Sequence, residues 1–334
     1  MSDLKKLQEL AAQAEQNGAT LRNVEIAETD EAGVCLRVSE GATEFEISIP
    51  DSMKVPVKAV DFETGQISET AEMPDEQRAW FNAYLSALVD DEDRAALTSL
   101  RRSIDEENLT ASNTFRAVAL GNFVTINAKP AAINQALLSP SFVSTADGPM
   151  LVPILGLARP GNKGLAMNIS AGGSFRVAGK ATEEILVTAG RFDALHALNA
   201  QGRVLSFATA FALPMKITLP NKQNFSILRK FNDVKRVQNG ILPKAWLDGD
   251  TITMSHCLVG VRTGKPHIAR ETFRAAIKEL DIPNHLDLWI MIRNYNMSRL
   301  FDAYTASREL KNEKLGKMLS ASISSQIETM LKSL

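Results

Sequence analysis

Three stretches decide the reading of this chain: residues 151–161 (LVPILGLARPG), 175–204 (FRVAGKATEEILVTAGRFDALHALNAQGRV) and 213–220 (LPMKITLP). Each is a set of short apolar runs broken by Gly, Pro or charged residues, the pattern of short strands joined by tight turns. FRVAGKATEEILVTAG reads as two short strands around a turn. LPMKITLP alternates with period two, placing Met215, Ile217 and Leu219 on one side. Composition predicts turns at Asp147-Gly148-Pro149, Pro160-Gly161-Asn162 and Gly172-Gly173. The same Gly-rich, strand-rich character extends over residues 114–220.

Outward from this region the period changes. Residues 3–17 carry Leu4, Leu7, Leu10, Ala11 and Ala14 at helical spacing, with Gly18 where a C-cap belongs. LRNVEIAE, VCLRVSE and EFEISIP, within residues 21–50, read as strands. Residues 75–107 return to helix, with Asp75 and Asp91 as expected N-caps and Trp80, Tyr84 and Leu88 on one face. TITMSHCLVGVRTG predicts a strand pair, and from about Pro266 three helices follow. The expected class is α+β. The βαβ alternation of a doubly wound sheet is missing, which disfavours a dinucleotide-binding fold.

The chain has 334 residues and a formal net charge of -2, from 37 Lys plus Arg against 39 Asp plus Glu. A dedicated nucleic-acid binder carries a basic surplus, so nucleic acid is not an expected partner. No run approaches the ~20 apolar residues of a membrane span. The polar, amphipathic opening MSDLKKLQELAAQAEQNG lacks the apolar core of a signal peptide, so a cytoplasmic location is expected and a membrane partner is not. Two cysteines far apart, Cys35 and Cys257, make no disulfide framework, and the spacing of His196, His256, His267 and His285 suits no zinc site.

Familiar catalytic motifs are absent. There is no GxxxxGK[ST], no GxGxxG after a strand and no GxSxG. Pro160-Gly161-Asn162-Lys163-Gly164 resembles a phosphate loop in composition alone and reads as an exposed turn. His196 lies in a helical run with no partner to be named. The neighbours His256 and Cys257, and the neighbours Glu183 and Glu184, would point to opposite faces of a strand, which argues against a Cys-His dyad or a shared-proton carboxylate pair. Asp90-Asp91-Glu92-Asp93 reads as a helix start. Leu288, Trp289, Ile292, Tyr295, Met297 and Leu300 form an apolar stripe, read as core packing or as a groove for a partner protein.

Residues 150–220 resemble the C-terminal half of a SET domain, of the type found in the Rubisco large-subunit lysine methyltransferase group. Leu151-Val152-Pro153 matches the first family strand, Glu183-Glu184-Ile185 with Gly190 the second, and Gly202 and Val204 the third. Upstream, Gly33-Val34-Cys35-Leu36 sits at the family's glycine turn, Ile49-Pro50 at a strand end and Asn113-Thr114-Phe115-Arg116-Ala117 at the helix before the core. The helical tail resembles the substrate-binding domain of the group. On this resemblance the organisation is residues 1–20 as an N-terminal helix, 21–72 as the first part of a SET-like core, 73–112 as a helical insertion, 113–220 as the second part of the core and 221–334 as a mostly helical C-terminal domain.

The resemblance implies a protein-lysine methyltransferase that uses S-adenosylmethionine and acts on a protein substrate. The sequence departs where the family holds its cofactor. Cys35 replaces the second glycine, Leu157-Ala158-Arg159-Pro160 stands where the Asn-His pair belongs, FVTINAKP has no clear counterpart of the family's arginine before the core, and Ala189 occupies the place of the catalytic tyrosine. Three tyrosines exist, Tyr84, Tyr295 and Tyr304, all in expected helices outside residues 114–220, so one would have to reach the site from another domain. Gly33, Arg159 and Gly190 are the candidate cofactor contacts, Arg159 because a guanidinium binds a carboxylate bidentately. No catalytic residue and no metal ligand is assigned. Arg191 and Asp193 line the same cleft or form a local salt bridge or cap. Three functions follow: a SET-like protein that has lost methyl transfer and binds a protein partner, an active lysine methyltransferase with divergent cofactor contacts, or an unrelated α+β interaction protein.

Overall fold

The structure, a computed structural model, describes residues 3–29, 33–110, 128–145, 148–165, 168–169, 173–180, 185–187, 193–201, 204, 207, 209–219, 222–229, 235–237, 240–261, 267–280, 282, 285–310 and 312–333. The fold is α+β. The chain divides into two compact units, one of Met1–Arg101 with Asn127–Ala189 and one of Arg102–Ile126 with Gly190–Leu334.

In the first unit the helix Leu4–Gln16 begins where the Asp3 side chain accepts the Lys6 N–H at 3.0 Å, and it buries Leu7, Leu10, Ala11 and Ala14. These are the positions its period selects, and they pack toward the helix Asp75–Leu88. An antiparallel sheet runs in the order Thr20–Arg22, Glu44–Ile49, Phe175–Lys180, Asn168–Ile169. Its central pair sets Ile49 opposite Phe175 and Ile47 opposite Val177, all buried, so two strands over 120 residues apart share one core face. Val24–Thr29 and Gly33–Val38 form a hairpin, and Val55–Pro56, Gly148–Leu151 and Phe142–Thr145 form a three-stranded antiparallel sheet.

Three local expectations shift. Asp75 and Asp91 are the first helical residues rather than the caps; Asp90 caps the second helix, accepting the Asp93 N–H at 2.8 Å. Both first turns still carry negative charge, which suits the dipole. The two strands of FRVAGKATEEILVTAG do not pair with each other: Phe175–Lys180 pairs with Glu44–Ile49, and Leu186–Val187 runs parallel to Arg159–Leu165. Pro160-Gly161-Asn162, expected as a turn, lies within that last strand. Its register jumps there, Val187 facing both Pro160 and Leu165, so the turn-forming residues sit in an irregularity of the ladder.

The second unit has a mixed sheet in the order Met215–Thr218, Asn224–Ile227, Thr251–Met254, Ala245–Asp248, with its middle pair parallel. Met215 and Leu219 are buried, as their alternation requires. Thr251–Met254 and Leu258–Val261, expected as a pair, take other partners: the second pairs with Thr209–Phe211. The residues between them turn inward, and His256 and Cys257 are both fully buried. The helices Ile268–Ile277, His285–Ser307 and Glu313–Leu331 follow as expected. Asn296 anchors the middle helix: its Oδ1 accepts the Leu213 N–H at 2.6 Å. Among the described residues no helix is long and apolar enough to cross a membrane.

Candidate functional site

The strand Gly33–Val38, the 3-10 turn Leu155–Leu157 with the strand that follows it, and the strand Leu186–Val187 meet in the first unit. Ile185 donates its N–H to the Leu36 carbonyl at 2.9 Å, and Arg159 stands opposite Leu186 in the parallel ladder. Segments 120 to 150 residues apart in sequence are therefore brought edge to edge, at the place where the sequence motifs put a site.

The turn after Leu151-Val152-Pro153 is held under strain. Ile154 has φ +67, a region that β-branched side chains avoid, and its side chain is buried. Two contacts fix it. The Ile154 N–H donates to the Tyr84 hydroxyl at 2.8 Å, and the Val152 N–H donates to the Ser141 carbonyl at 2.9 Å. Gly156 closes the turn against Ser141: a Cβ there would lie 1.9 Å from the Ser141 Oγ and 2.9 Å from its Cα. Only glycine permits that approach. Tyr84 is fully buried and stacked on Trp80. Burial pushes its phenol up to about 12, against the lowering pull of the Ile154 N–H and the Ser141 hydroxyl. This corrects the expectation that a tyrosine could reach the region only from another domain. The helix Asp75–Leu88 belongs to the same unit and delivers Tyr84 to the turn, as a backbone clamp.

The side chains described on these segments are apolar with one exception. Cys35, Leu36, Val38, Leu155, Leu157, Ala158 and Ile185 are all buried, Val34 is half-buried, and Arg37 alone carries charge. The Cys35 thiol points inward at the position where the resemblance implies a bare glycine. Of Leu157-Ala158-Arg159-Pro160, the stretch that the resemblance sets at the Asn-His pair, Leu157 and Ala158 are buried and the side chains of Arg159 and Pro160 lie outside the described set. S-adenosylmethionine is a zwitterionic amino acid joined to a sulfonium and an adenosine, and its ends call for charged and hydrogen-bonding partners. Among the described side chains of these segments, Arg37 alone offers such a partner. Of the candidate contacts, Gly33 starts its strand opposite Thr29, and the Arg159 backbone lies in its strand while its side chain is outside the described set. Ala189, Gly190, Arg191, Glu183, Glu184, Gly202, Asn113–Ala117 and residues 123–127 of FVTINAKP lie outside the described residues.

In the second unit Asp193 is the hub of a buried polar network. Its Oδ1 accepts from the His196 N–H at 2.8 Å and from Arg229 at 2.7 Å; its Oδ2 accepts from Gln326 at 2.9 Å and from the Phe211 N–H at 3.1 Å. The Asp193 side chain is fully buried and Arg229 is 5% exposed. Burial raises the Asp193 carboxyl, but the Arg229 charge and the surrounding donors outweigh it and hold the group below the ordinary carboxylate range. Asp193 thus caps the helix Ala194–Gln201 and pairs with an arginine other than Arg191. His196 is pushed down to about 4, by burial first and then by Arg229. Burial likewise raises the Cys257 thiol. A thiol held protonated is a poor nucleophile at neutral pH. Among the described residues no group of His, Cys, Asp and Glu is arranged to hold a metal ion.

The apolar stripe of the helix His285–Ser307 divides. Leu288, Trp289, Ile292 and Leu300 are core, while Tyr295 faces outward with Leu286, Ile290, Met291 and Phe301. Tyr84 is legible in the sequence only as a helix-face tyrosine, and Ser141 and Ile154 carry no local signal, because the turn is made by contacts between distant segments.

No protein-family model matches the chain, and the search of curated proteins finds no match. The search of solved structures finds SET-domain proteins. The SET domain of LSMT bound to lysine and AdoHcy is 10% identical, with a TM-score of 0.42, over 98% of this chain and 89% of the other. Rubisco LSMT bound to AdoMet is 11% identical, with a TM-score of 0.42, over 98% and 90%. Rubisco LSMT bound to sinefungin and monomethyllysine is 10% identical, with a TM-score of 0.41, over 98% and 90%. Neither the identities nor the scores are high enough to carry an inference about activity.

Proposed function

We propose that this chain is a SET-like protein, related to the S-adenosylmethionine-dependent protein-lysine methyltransferases, that has lost methyl transfer and works by binding a protein partner. The observation that carries the reading is the contrast at the three-segment junction. The segments that carry the sequence motifs meet edge to edge, while the described side chains of Cys35, Leu157, Ala158 and Ile185 are apolar and buried there. Tyr84 supports it further, because its hydroxyl is engaged by the Ile154 N–H at 2.8 Å and does not serve to orient an amine. Retained scaffold with altered site chemistry is how a fold changes function. The partner surface in this reading is the former substrate cleft or the helical tail, in a protein of the cytoplasm.

Titration calorimetry with S-adenosylmethionine and S-adenosylhomocysteine tests this. The proposal expects no heat at millimolar ligand. Micromolar binding would overturn it in favour of an active methyltransferase with divergent contacts. Arg159→Ala and a methylation assay on a cell lysate would then locate the cofactor and the activity.

A further inference from the structure

A cavity of about 730 Å³ opens in the first unit, on the outer face of the three-stranded sheet and away from the Gly33, Ile154 and Ile185 segments. Its floor follows from the register. Pro56 stands opposite Met150, so these side chains share one face of the sheet, and both line the cavity with Thr145. The opposite face belongs to the core, through Val55 and Leu151. Ile169 forms a wall from the short strand Asn168–Ile169; it is 51% exposed, a large apolar side chain left in water at the mouth of the cavity.

The charges on the rim are not equivalent. Lys54 donates to the Gly173 carbonyl at 3.1 Å, pairs with Asp51 and lies over the Phe175 ring at 5.2 Å. An ammonium has three N–H donors and no more, so a carbonyl, a carboxylate and a ring face occupy Lys54, and Asp51 neutralises it. The end wall is built to hold this arrangement: Gly173 has φ +78, and a Cβ there would lie 2.8 Å from the Asp51 Oδ1. Lys58 is different. It is exposed, lines the same cavity and belongs to no ion pair among the described residues. Among the described residues the cavity therefore offers an apolar floor and wall with one positive charge outside any ion pair, Lys58, on its rim. Its volume lies within the range of small-molecule sites, about 300–1,000 Å³.

We propose that this cavity binds a small apolar carboxylate, its carboxylate on Lys58 and its hydrocarbon part over Pro56 and Met150 and against Ile169. The inference is independent of the methyltransferase relationship and stands or falls separately from it. Apolar burial of the tail and a charge-assisted hydrogen bond at the head are both required, because neither surface alone is large or charged enough to select a ligand.

The test is calorimetric titration of the full chain with octanoate and with octan-1-ol, the same tail without the charge. Three variants accompany it: Lys58→Glu, Met150→Ser, and Ile290→Ser on the exposed face of the helix His285–Ser307. Thermal melting confirms that each is folded, and Lys58→Gln replaces Lys58→Glu should the latter melt early. The expected result is saturable binding of octanoate at one site, with octan-1-ol weaker by about tenfold or more and the Lys58 and Met150 variants each weakening octanoate by about tenfold, while Ile290→Ser leaves it unchanged. Equal affinities for octanoate and octan-1-ol would overturn the proposal. So would unchanged affinity in Lys58→Glu, loss of binding in Ile290→Ser, or no saturable heat with octanoate up to about 10 mM.

Discussion

Replacing Asp193 by Asn should destabilise the second unit far more than any comparable change at a surface ion pair. The carboxylate uses both oxygens twice: Oδ1 for His196 and Arg229, Oδ2 for Gln326 and Phe211. Whichever oxygen becomes an NH₂ group, two donors then face a donor. Arg229, 5% exposed, also loses its counter-charge. Breaking a buried pair from one side costs about 3–5 kcal/mol, and each orphaned buried donor about 1–3 kcal/mol, not additively. The expected loss for Asp193→Asn is about 4 kcal/mol. Asp75→Asn is the internal comparison, because Asp75 pairs with Arg78 at 2.6 Å but its side chain is 96% exposed; it should cost no more than about 1 kcal/mol. Trp80 is the tryptophan of the first unit, and Trp246 and Trp289 belong to the second. Urea unfolding followed by fluorescence in a Trp80→Phe background therefore reports on the second unit. The midpoint should fall with the slope unchanged. Asp193→Asn/Arg229→Met should cost less than the sum of its single changes, since the buried charge leaves with its partner. A loss below about 1 kcal/mol for Asp193→Asn, or one equal to that of Asp75→Asn, would refute the network as a stabilising hub.

Three further outcomes are expected. Tyr84→Phe keeps the ring stacked on Trp80 but removes the acceptor of the Ile154 N–H; a loss of about 1–3 kcal/mol in urea unfolding follows, and a loss near zero would show that the turn holds without the clamp. Gly156→Ala should cost about 2 kcal/mol or more, and Ser141→Ala should not rescue it, because the Ser141 Cβ and Cα would still lie 2.8 and 2.9 Å from the new methyl group. Stability should also fall in mild acid through His196. Its folded pKa is about 4 against 6.5 unperturbed, so below pH 6.5 the unfolded chain takes up the proton first. The contribution is complete above that pH and is lost as pH falls toward 4, by at most about 3 kcal/mol for a ring that is only partly shielded. Asp193 is held below the ordinary carboxylate range and adds its own loss only as pH falls through its lower folded pKa. Midpoints measured from pH 7 to 4.5 should decline in the parent and decline less in His196→Gln.

What could be read from the chain, and what could not, separates along a physical line. Period and local chemistry fixed the helix Leu4–Gln16 with its buried Leu7, Leu10, Ala11 and Ala14, the three C-terminal helices and the alternation ending at Leu219. Those signals lie within one turn of helix or one strand. Partner choice does not: nothing in LVPILGLARPG says that Arg159 will stand beside Leu186, or that Thr251–Met254 will run parallel to Asn224–Ile227. A strand pattern specifies a face and leaves the neighbour open. The turn at Ile154 goes further, because its conformation contradicts the residue in it. Intrinsic preference would place a β-branched side chain at negative φ, and φ +67 persists only because contacts from distant segments hold it. Tyr84 arrives from a helix 70 residues upstream, and Ser141 leaves room only for glycine at position 156. Such over-determined strain collects at functional sites. Here it lies beside the buried, apolar Cys35, Leu157 and Ala158. The strained turn is held by the Tyr84 and Ser141 hydrogen bonds and by the close fit of Gly156 against Ser141, so its test is the stability of Tyr84→Phe and Gly156→Ala.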